Sequence, residues 1–199
     1  LISENSEYPT LKNILATGLR NPWQVTEYND FLFVTDVGNF NFEELNIVNL
    51  NEFKNNNNKP YLFGWPFYEG NKSTGVNFQE VVLWSEDRKS YSSIFKYVDN
   101  NNTPPKVFYD HNAPDVYRAA IIGGDILNNE NSSFDFSYVF IDFTSKEVFV
   151  YDILNDNLTA YPLPEGYNST PTSIRANPYK KNSLLISSSD GSIKIFNFP

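Results

Sequence analysis

A pattern of apolar and polar residues recurs three times along the chain and limits the folds that it can adopt. Each copy has an apolar run, a polar turn and a second run in which apolar and polar residues alternate, which predicts an antiparallel β-hairpin. The copies are Asp30–Leu50, Ser137–Leu154 and Asn182–Phe198. A further short strand is predicted before each hairpin, at Trp23–Glu27, Ala119–Leu127 and Thr172–Ala176.

Tandem units of this size are typical of the blades of a β-propeller, so we predict an all-β fold with about three blades. Because closed propellers need about four blades or more, we expect residues 1–199 to be the C-terminal part of one propeller domain. The other blades would come from upstream sequence or from another chain. The absence of methionine, also at position 1, agrees with a longer or processed protein. A self-contained β-sandwich is the alternative fold.

The segment from about 51 to 105 interrupts the repeat. It contains the Asn55–Asn58 run, the polar Asp99–Thr103 and the pair Pro104–Pro105, and this composition is typical of loops. We predict long loops on the top face of the propeller around one or two further strands. No helix is predicted, because the best candidate, Glu80–Lys89, lacks a clean apolar stripe.

Composition excludes several classes of function. The net charge of −9 disfavours binding to nucleic acid, whose phosphates would be repelled. The chain has no cysteine, which excludes disulfides and thiolate metal sites. It has no apolar run of about 18 residues, so we expect no membrane span. Five N-x-S/T sequons are compatible with secretion, and we expect an extracellular or a periplasmic location.

A series of short motifs in a fixed order carries the functional signal. The motifs are GLRNPW (18–23), TDVG (35–38), FEELN (42–46), GWPFYEG (64–70), YDH (109–111), IIGGDIL (121–127) and YVFIDF (138–143). Together they resemble the C-terminal half of the soluble glucose/sorbosone dehydrogenase family, whose members are six-bladed propellers. The resemblance covers roughly residues 15–196.

The resemblance implies a function for the full-length protein. Members of the family oxidise a sugar hydroxyl with pyrroloquinoline quinone (PQQ) and calcium, and a histidine acts as the base while hydride moves to the quinone. The full-length protein is therefore expected to be a sugar (aldose or polyol) dehydrogenase-like oxidoreductase. The family's base lies upstream of this half, so we expect the 199 residues alone to be inactive.

The resemblance also assigns candidate site residues. Arg20 would contact the quinone oxygens and act in catalysis, since a guanidinium stabilises a developing oxyanion, and Asn21 would contact the cofactor beside it. The main-chain carbonyls of Gly38 and Asn39 would face the calcium ion. Structural alternatives are a salt bridge between blades for Arg20 and a turn with positive φ for Gly38.

The family holds the cofactor carboxylates with a lysine and paired arginines from later blades. Lys146 lies in the relevant hairpin, and Arg175 is the single arginine near the last blade, so both are candidate cofactor ligands. A tricarboxylate cofactor needs several converging cations, and this chain departs from the family by offering one arginine there.

Several other polar residues have mainly structural interpretations. Asp36 is expected to cap a turn or to pair with Arg20. Glu43 and Glu44 precede a strand and are expected to form a salt bridge or a solvated face. His111, the single histidine, is expected to have a structural or rim role rather than to act as a catalytic base, and Asp110 beside it is a candidate to orient its ring.

Three further interpretations concern the surroundings of the expected pocket. Arg118 is expected to face the top-face pocket. The Gly123–Gly124 pair predicts close backbone packing near the propeller axis. The aromatic residues of the GWPFYEG motif are expected to pack between blades rather than to bind sugar.

A non-catalytic propeller that binds a protein or a glycan is the alternative function. Hedgehog-interacting-protein-like relatives keep the fold and bind partners, although they are cysteine-rich and this chain is not. A degenerate fragment without activity is a third possibility, because a fold does not imply a function.

Overall fold

The computed structural model describes residues 14–75, 100–128 and 136–198, and almost all of its regular structure is β. The strands are β1 (Ala16–Thr17), β2 (Pro22–Tyr28), β3 (Phe31–Asp36), β4 (Phe42–Asn49), β5 (Tyr61–Leu62), β6 (Tyr68–Glu69), β7 (Lys72–Ser73), β8 (Val107–Asp110), β9 (Asn112–Ala113), β10 (Val116–Tyr117), β11 (Ile121–Leu127), β12 (Ser137–Asp142), β13 (Glu147–Asp152), β14 (Asn157–Pro162), β15 (Pro171–Ala176), β16 (Ser183–Ser188) and β17 (Ile193–Asn197). One short helix, α1, spans Leu50–Asn55.

Three antiparallel sheets form three blades of a propeller. Blade A is β2–β3–β4–β8, blade B is β11–β12–β13–β14, and blade C is β15–β16–β17. The predicted hairpins are confirmed as β3–β4, β12–β13 and β16–β17, and each of the three predicted preceding strands is the first strand of a blade. The architecture is therefore an all-β partial propeller, as the repeats predict.

Blade B lies between the other two blades, and its central strands are the most buried of the structure. All six residues of β12 are buried, because both faces of this strand are covered. One cluster, including Phe33, Tyr138 and Phe149, joins blades A and B, and another, including Ile141 and Ile186, joins blades B and C. Each such side chain stabilises the fold by about 1.5–3 kcal/mol on burial.

The predicted close packing at Gly123–Gly124 is confirmed. A Cβ atom at Gly123 would lie 2.2 Å from the Cβ of Gln24, and one at Gly124 would lie 1.7 Å from the carbonyl oxygen of Val139. The Gly124 carbonyl accepts hydrogen bonds from Gln24 (2.8 Å), Thr26 (2.9 Å) and Arg175 (3.3 Å). Glycine is needed here because the first strands of all three blades meet at this point.

The loop segment between β4 and β8 differs from the prediction in two respects. Its described part holds three two-residue strands, β5, β6 and β7, where one or two strands were predicted. It also contains α1, whose N-terminus is capped by the Asn49 side chain through the amides of Asn51 and Glu52, so the absence of a helix was wrongly predicted. The segment Glu80–Lys89 lies outside the described residues. Within the described ranges, no helix has the length and apolarity needed to cross a bilayer.

Candidate functional site

A cleft of about 260 Å³ opens where the first strands of the three blades begin. Blade A contributes Trp23 together with Asn21 and Val37, which flank the same open end of the β2–β3 pair, and blades B and C contribute the starts of β11 and β15. The lining residues are Asn21, Trp23, Val37, Ala120, Ile122, Phe143 and Thr172. None of these seven side chains is charged, so the cleft suits an uncharged ligand surface.

Two aromatic side chains give the cleft its apolar character. Trp23 keeps 54% of its surface exposed and Phe143 keeps 43%, although both are large apolar residues. Asn21 and Thr172 supply the polar groups of the lining. Aromatic faces with a few polar groups between them suit a flat ring with hydroxyl or carbonyl substituents.

Asn21 lines the cleft, and Arg20 lies beside it through a hydrogen bond to Val37, while a role of the two residues in binding one ligand stays a prediction. The Arg20 guanidinium donates hydrogen bonds to the Val37 carbonyl (3.1 Å) and to Oδ1 of Asn39 (3.0 Å), and it lies 5.6 Å from the centre of the Trp65 ring. These contacts fix the guanidinium beside Val37, which itself lines the cleft.

Asp36 caps the segment that leads into β2. Its carboxylate accepts hydrogen bonds from the main-chain N–H groups of Arg20 (2.8 Å) and Asn21 (2.6 Å). Burial raises the pKa of Asp36 to about 6, although these two N–H groups and the nearby guanidinium favour the ionised form. Of the two predicted roles, the contact with Arg20 is present but is made through the main chain, and these bonds cap the approach to β2 rather than the turn that carries Gly38.

Gly38 is required for a reason other than the predicted positive φ. Its φ is not positive, but a Cβ atom at this position would lie 1.6 Å from the Phe42 carbonyl oxygen. The next N–H group, that of Asn39, donates to the buried carboxylate of Glu69 (2.6 Å). Because N–H and C=O point in opposite directions across a trans peptide, the Gly38 carbonyl points away from Glu69.

A calcium site at Gly38 and Asn39 stays a prediction. Main-chain carbonyls are suitable calcium ligands, and the direction of the Gly38 carbonyl is compatible with that role. Among the described residues, no group of three or more His, Asp or Glu side chains is placed to hold a metal ion.

Lys146 and Arg175 are not among the residues that line the cleft, and their role as cofactor ligands stays a prediction. The Lys146 ammonium donates to the Tyr167 carbonyl (3.2 Å), and the Arg175 guanidinium donates to the Gly124 carbonyl (3.3 Å). Both cationic side chains therefore serve as hydrogen-bond donors to main-chain carbonyl groups.

The loop that carries Gly38 and Asn39 wraps around a single carboxylate. Oε1 of Glu69 accepts hydrogen bonds from the main-chain N–H groups of Asn39, Phe40, Asn41 and Phe42, at 2.6–3.2 Å. Burial favours the neutral acid, but the N–H groups outweigh it and hold the pKa of Glu69 below its usual value. Consecutive N–H groups that converge in this way form an anion-binding nest.

Glu43 connects blades A and B and was not predicted to do so. Its carboxylate accepts hydrogen bonds from Nε2 of His111 (2.7 Å) and from the main-chain N–H groups of Ala120 and Ile121 (both 2.9 Å). The bond to His111 is a salt bridge when His111 carries a proton, whereas Glu44 bonds to the Gly70 N–H group and the Asn46 amide. The expected solvated face is wrong, because Glu43 and Glu44 are both buried.

His111 has the structural role that was expected, with a different partner. The bond to Glu43 raises the pKa of His111, and burial only partly opposes this shift. Asp110 does not orient the ring as expected, because Oδ1 of Asp110 accepts from the Asn112 N–H group.

Arg118 does not face the cleft, which corrects the prediction made for it. Its guanidinium forms a two-pronged ion pair with Glu147 (2.7 and 3.0 Å) and lies over the Phe149 ring. The pair with Glu147 raises the pKa of Arg118 and lowers that of Glu147.

Another buried carboxylate, that of Asp142, holds the other side of the cleft. It accepts hydrogen bonds from the N–H groups of Ala119, Thr144 and Ser145, and from the hydroxyl of Tyr109. Burial raises the pKa of Asp142 to about 6. The segments that Asp36, Glu43 and Asp142 hold contain the lining residues Asn21, Ala120 and Phe143, so buried acids fix the rim of the cleft.

Comparison with solved structures places this geometry in a known fold. The chain is similar to the soluble aldose sugar dehydrogenase from Escherichia coli in its apo form (TM-score 0.60, 16% identity, 98% of this chain and 50% of that one). The fold is that of about half of a soluble sugar dehydrogenase. A glucose dehydrogenase (0.59, 13%, 98% and 48%) and the PQQ-bound aldose sugar dehydrogenase from Streptomyces coelicolor (0.52, 13%, 98% and 47%) are also similar.

The likeness lies in the fold and not in the sequence. No family model matches the chain, and no curated protein matches it. The chain spans about half the length of the solved dehydrogenases.

The described residues suit one end of PQQ and not the other. A guanidinium and an amide at the cleft, Arg20 and Asn21, are suitable donors to quinone oxygens. The cleft lining has no cation, and Lys146 and Arg175 donate to main-chain carbonyls. The three carboxylates of PQQ thus have no set of converging cations among the residues that the structure describes.

Proposed function

We propose that the full-length protein is a sugar dehydrogenase-like propeller that oxidises a hydroxyl group of an aldose or a polyol, with PQQ as the hydride acceptor. The observation that carries the proposal is the guanidinium of Arg20 beside an apolar cleft at the start of the three innermost strands. The similarity in fold to aldose sugar dehydrogenases supports it.

Each cleft residue has a stated role in this proposal. Arg20 would stabilise negative charge on a ligand oxygen, because a permanent cation acts strongly beside an apolar surface. Asn21 would orient the same ligand, and the ring faces of Trp23 and Phe143 would exclude water. Bound PQQ would supply the carbon that accepts hydride, and cations for its carboxylates are expected from the remaining blades.

His111 is not proposed as the base. It is buried and bonded to Glu43, so its Nε2 is not presented to the cleft. The base is expected in the upstream half, and the 199 residues alone should not reduce a dye in the presence of PQQ. Reduction by this chain alone would overturn that expectation.

Calorimetric titration of PQQ into the full-length protein, with and without calcium, tests the proposal. We expect saturable binding that Arg20→Ala weakens strongly. Arg118→Ala is the matched control, because it removes an arginine that pairs with Glu147 away from the cleft. Equal binding by both variants, or no binding by the folded native protein, would contradict the proposal.

A non-catalytic sugar- or glycan-binding propeller is the second candidate. The uncharged cleft and the engagement of Lys146 and Arg175 by main-chain carbonyls favour it. It predicts that oligosaccharides bind without PQQ or calcium, and that Trp23→Ala abolishes this binding while Tyr179→Ala, at a fully exposed aromatic residue, does not.

A further inference from the structure

Glu43 reaches across the seam between blades A and B to the wall of the cleft. It belongs to β4 of blade A, and its two carboxylate oxygens accept the N–H groups of Ala120 and Ile121 at the start of β11 in blade B. Ala120 is one of the residues that line the cleft. The position of one cleft wall thus depends on a side chain from the neighbouring blade.

The backbone of Ala120 is strained at this point. Its φ is +66°, a left-handed conformation that residues other than glycine seldom adopt. The Ala120 carbonyl accepts a hydrogen bond from the N–H group of Phe143 (3.0 Å), so Ala120 also positions Phe143, a second residue of the cleft lining. Such strain persists only where the surroundings fix it, and it is common beside functional sites.

Glu43 is itself held rigidly. Nε2 of His111 lies 2.7 Å from Oε1, the Gly38 N–H group lies 3.2 Å from Oε2, and the side chain is only 1% exposed. His111 is fixed in turn, because its main-chain N–H donates to the Asn41 carbonyl. A buried carboxylate with this many donors has one fixed position, and its hydrogen bonds hold the strained backbone of Ala120 in place.

We propose that Glu43 is a positioning residue of the cleft: it holds Ala120 in its left-handed conformation across the blade seam and thereby sets the wall that a ligand meets. His111 supports it from blade A. The role concerns the shape of the cleft, and it rests on the proposed function only for the choice of PQQ as the binding probe.

The neighbouring residue provides a matched control. Glu44 lies on the same strand and is also buried, but its carboxylate accepts the N–H group of Gly70 and the side-chain amide of Asn46, away from blade B. Glu44→Gln therefore tests the loss of a buried carboxylate without touching Ala120. Glu43→Gln replaces one of the acceptor oxygens by an NH₂ group, which repels an N–H donor.

The experiment is done on the full-length protein labelled with ¹⁵N-alanine, since these 199 residues hold only Ala16, Ala113, Ala119, Ala120, Ala160 and Ala176. The Ala120 amide signal is assigned by its disappearance in Ala120→Gly. We expect Glu43→Gln to move this signal and to weaken PQQ binding by about tenfold, the loss typical of a charge-assisted hydrogen bond. Glu44→Gln should do neither.

The double variant Glu43→Gln/Ala120→Gly separates positioning from simple stability. Glycine adopts a positive φ without strain, so binding should return toward the native value. An Ala120 signal that stays in place in Glu43→Gln, or a double variant without recovery, would overturn the proposal. If Glu43→Gln does not fold, Glu43→Asp keeps the charge on a shorter side chain and must shift the same signal.

The two proposals can fail separately. Native protein that does not bind PQQ counts against the dehydrogenase proposal, while the Ala120 signal still decides the role of Glu43.

Discussion

The hydroxyl group of Tyr109 donates a 2.9 Å hydrogen bond to Oδ2 of Asp142 across the seam between blades A and B. Tyr109 is buried on β8, and Asp142 is fully buried at the end of β12. Burial and the negative charge of Asp142 raise the pKa of Tyr109 well above its usual value, so the hydroxyl keeps its proton and remains a donor. The bond therefore joins two blades at any moderate pH.

Tyr109→Phe should lower the free energy of unfolding by about 1–3 kcal/mol, because it removes a hydrogen bond to a buried carboxylate. The measurement is urea unfolding followed by fluorescence. Tyr117→Phe is the control, since Tyr117 is 57% exposed and should lose less than about 0.5 kcal/mol. Equal losses in the two variants would mean that the bond to Asp142 contributes nothing.

The stability of the fold should decrease as the pH rises from about 5.5 to about 7, because above this lower limit Glu69 and Glu147, whose lowered pKa values give the opposite slope, are ionised in the folded and the unfolded states alike. Burial raises the pKa of Asp36 and Asp142 from 3.8 to about 6, and that of Glu44 from 4.5 to about 7. The folded state therefore holds protons that the unfolded state has released, and the stability from these groups is lost as they ionise. The raised pKa of His111 acts in the same direction.

Urea unfolding at several pH values between these limits measures how the free energy of unfolding changes with pH. Glu44→Gln should make this change smaller, because the amide does not ionise. A free energy of unfolding that is constant or increases over this range would contradict the prediction.

Gly38→Ala should destabilise the protein by at least about 2 kcal/mol, since its Cβ would lie 1.6 Å from the Phe42 carbonyl oxygen and the backbone has to move. Gly166→Ala separates this clash from conformational strain. Gly166 has a φ of +86° with nothing within 4 Å of an added Cβ. Gly166→Ala should therefore lower the free energy of unfolding by only about 1–2 kcal/mol, the cost of a left-handed backbone at alanine. Thermal unfolding of both variants gives the comparison, and a smaller effect at Gly38 would be inconsistent with the clash.

Glu69→Ala should expose an empty anion-binding nest. Loss of the carboxylate leaves the N–H groups of Asn39, Phe40, Asn41 and Phe42 without their acceptor, at a cost of about 1–3 kcal/mol or more. Added acetate should bind there and restore part of the melting temperature of the variant, but should not change that of the native protein. Chloride at equal ionic strength is the control, and equal effects of both salts would argue against the nest.

The strands could be predicted because their signal is local. The alternation in Asn182–Phe198 is enough to indicate β16 and β17, since apolar residues on one face of a strand recur at every second position. The Gly123–Gly124 pair was also informative, because glycine in a strand usually means close backbone contact.

The partners of charged side chains could not be predicted, because they depend on which chain segments meet. Glu43 and His111 are 68 positions apart, and their bond exists only because β4 and β8 are neighbours in blade A. Lys146 and Arg175 likewise bond to carbonyls that no sequence pattern marks as acceptors. An early signal was available in the FEELN motif, where two carboxylates lie among apolar neighbours in a strand that is buried on both faces.

Repeat proteins whose units meet only through apolar faces can open one unit at a time. The Gly124 carbonyl prevents this independence, because it is a single acceptor in blade B that receives donors from both adjoining blades. Detachment of either outer blade leaves that buried oxygen with fewer donors, which adds to the free energy needed to open that blade. The slowest-exchanging amides of β2, β11 and β15 should therefore share one opening free energy, so that the three blades behave as one cooperative unit.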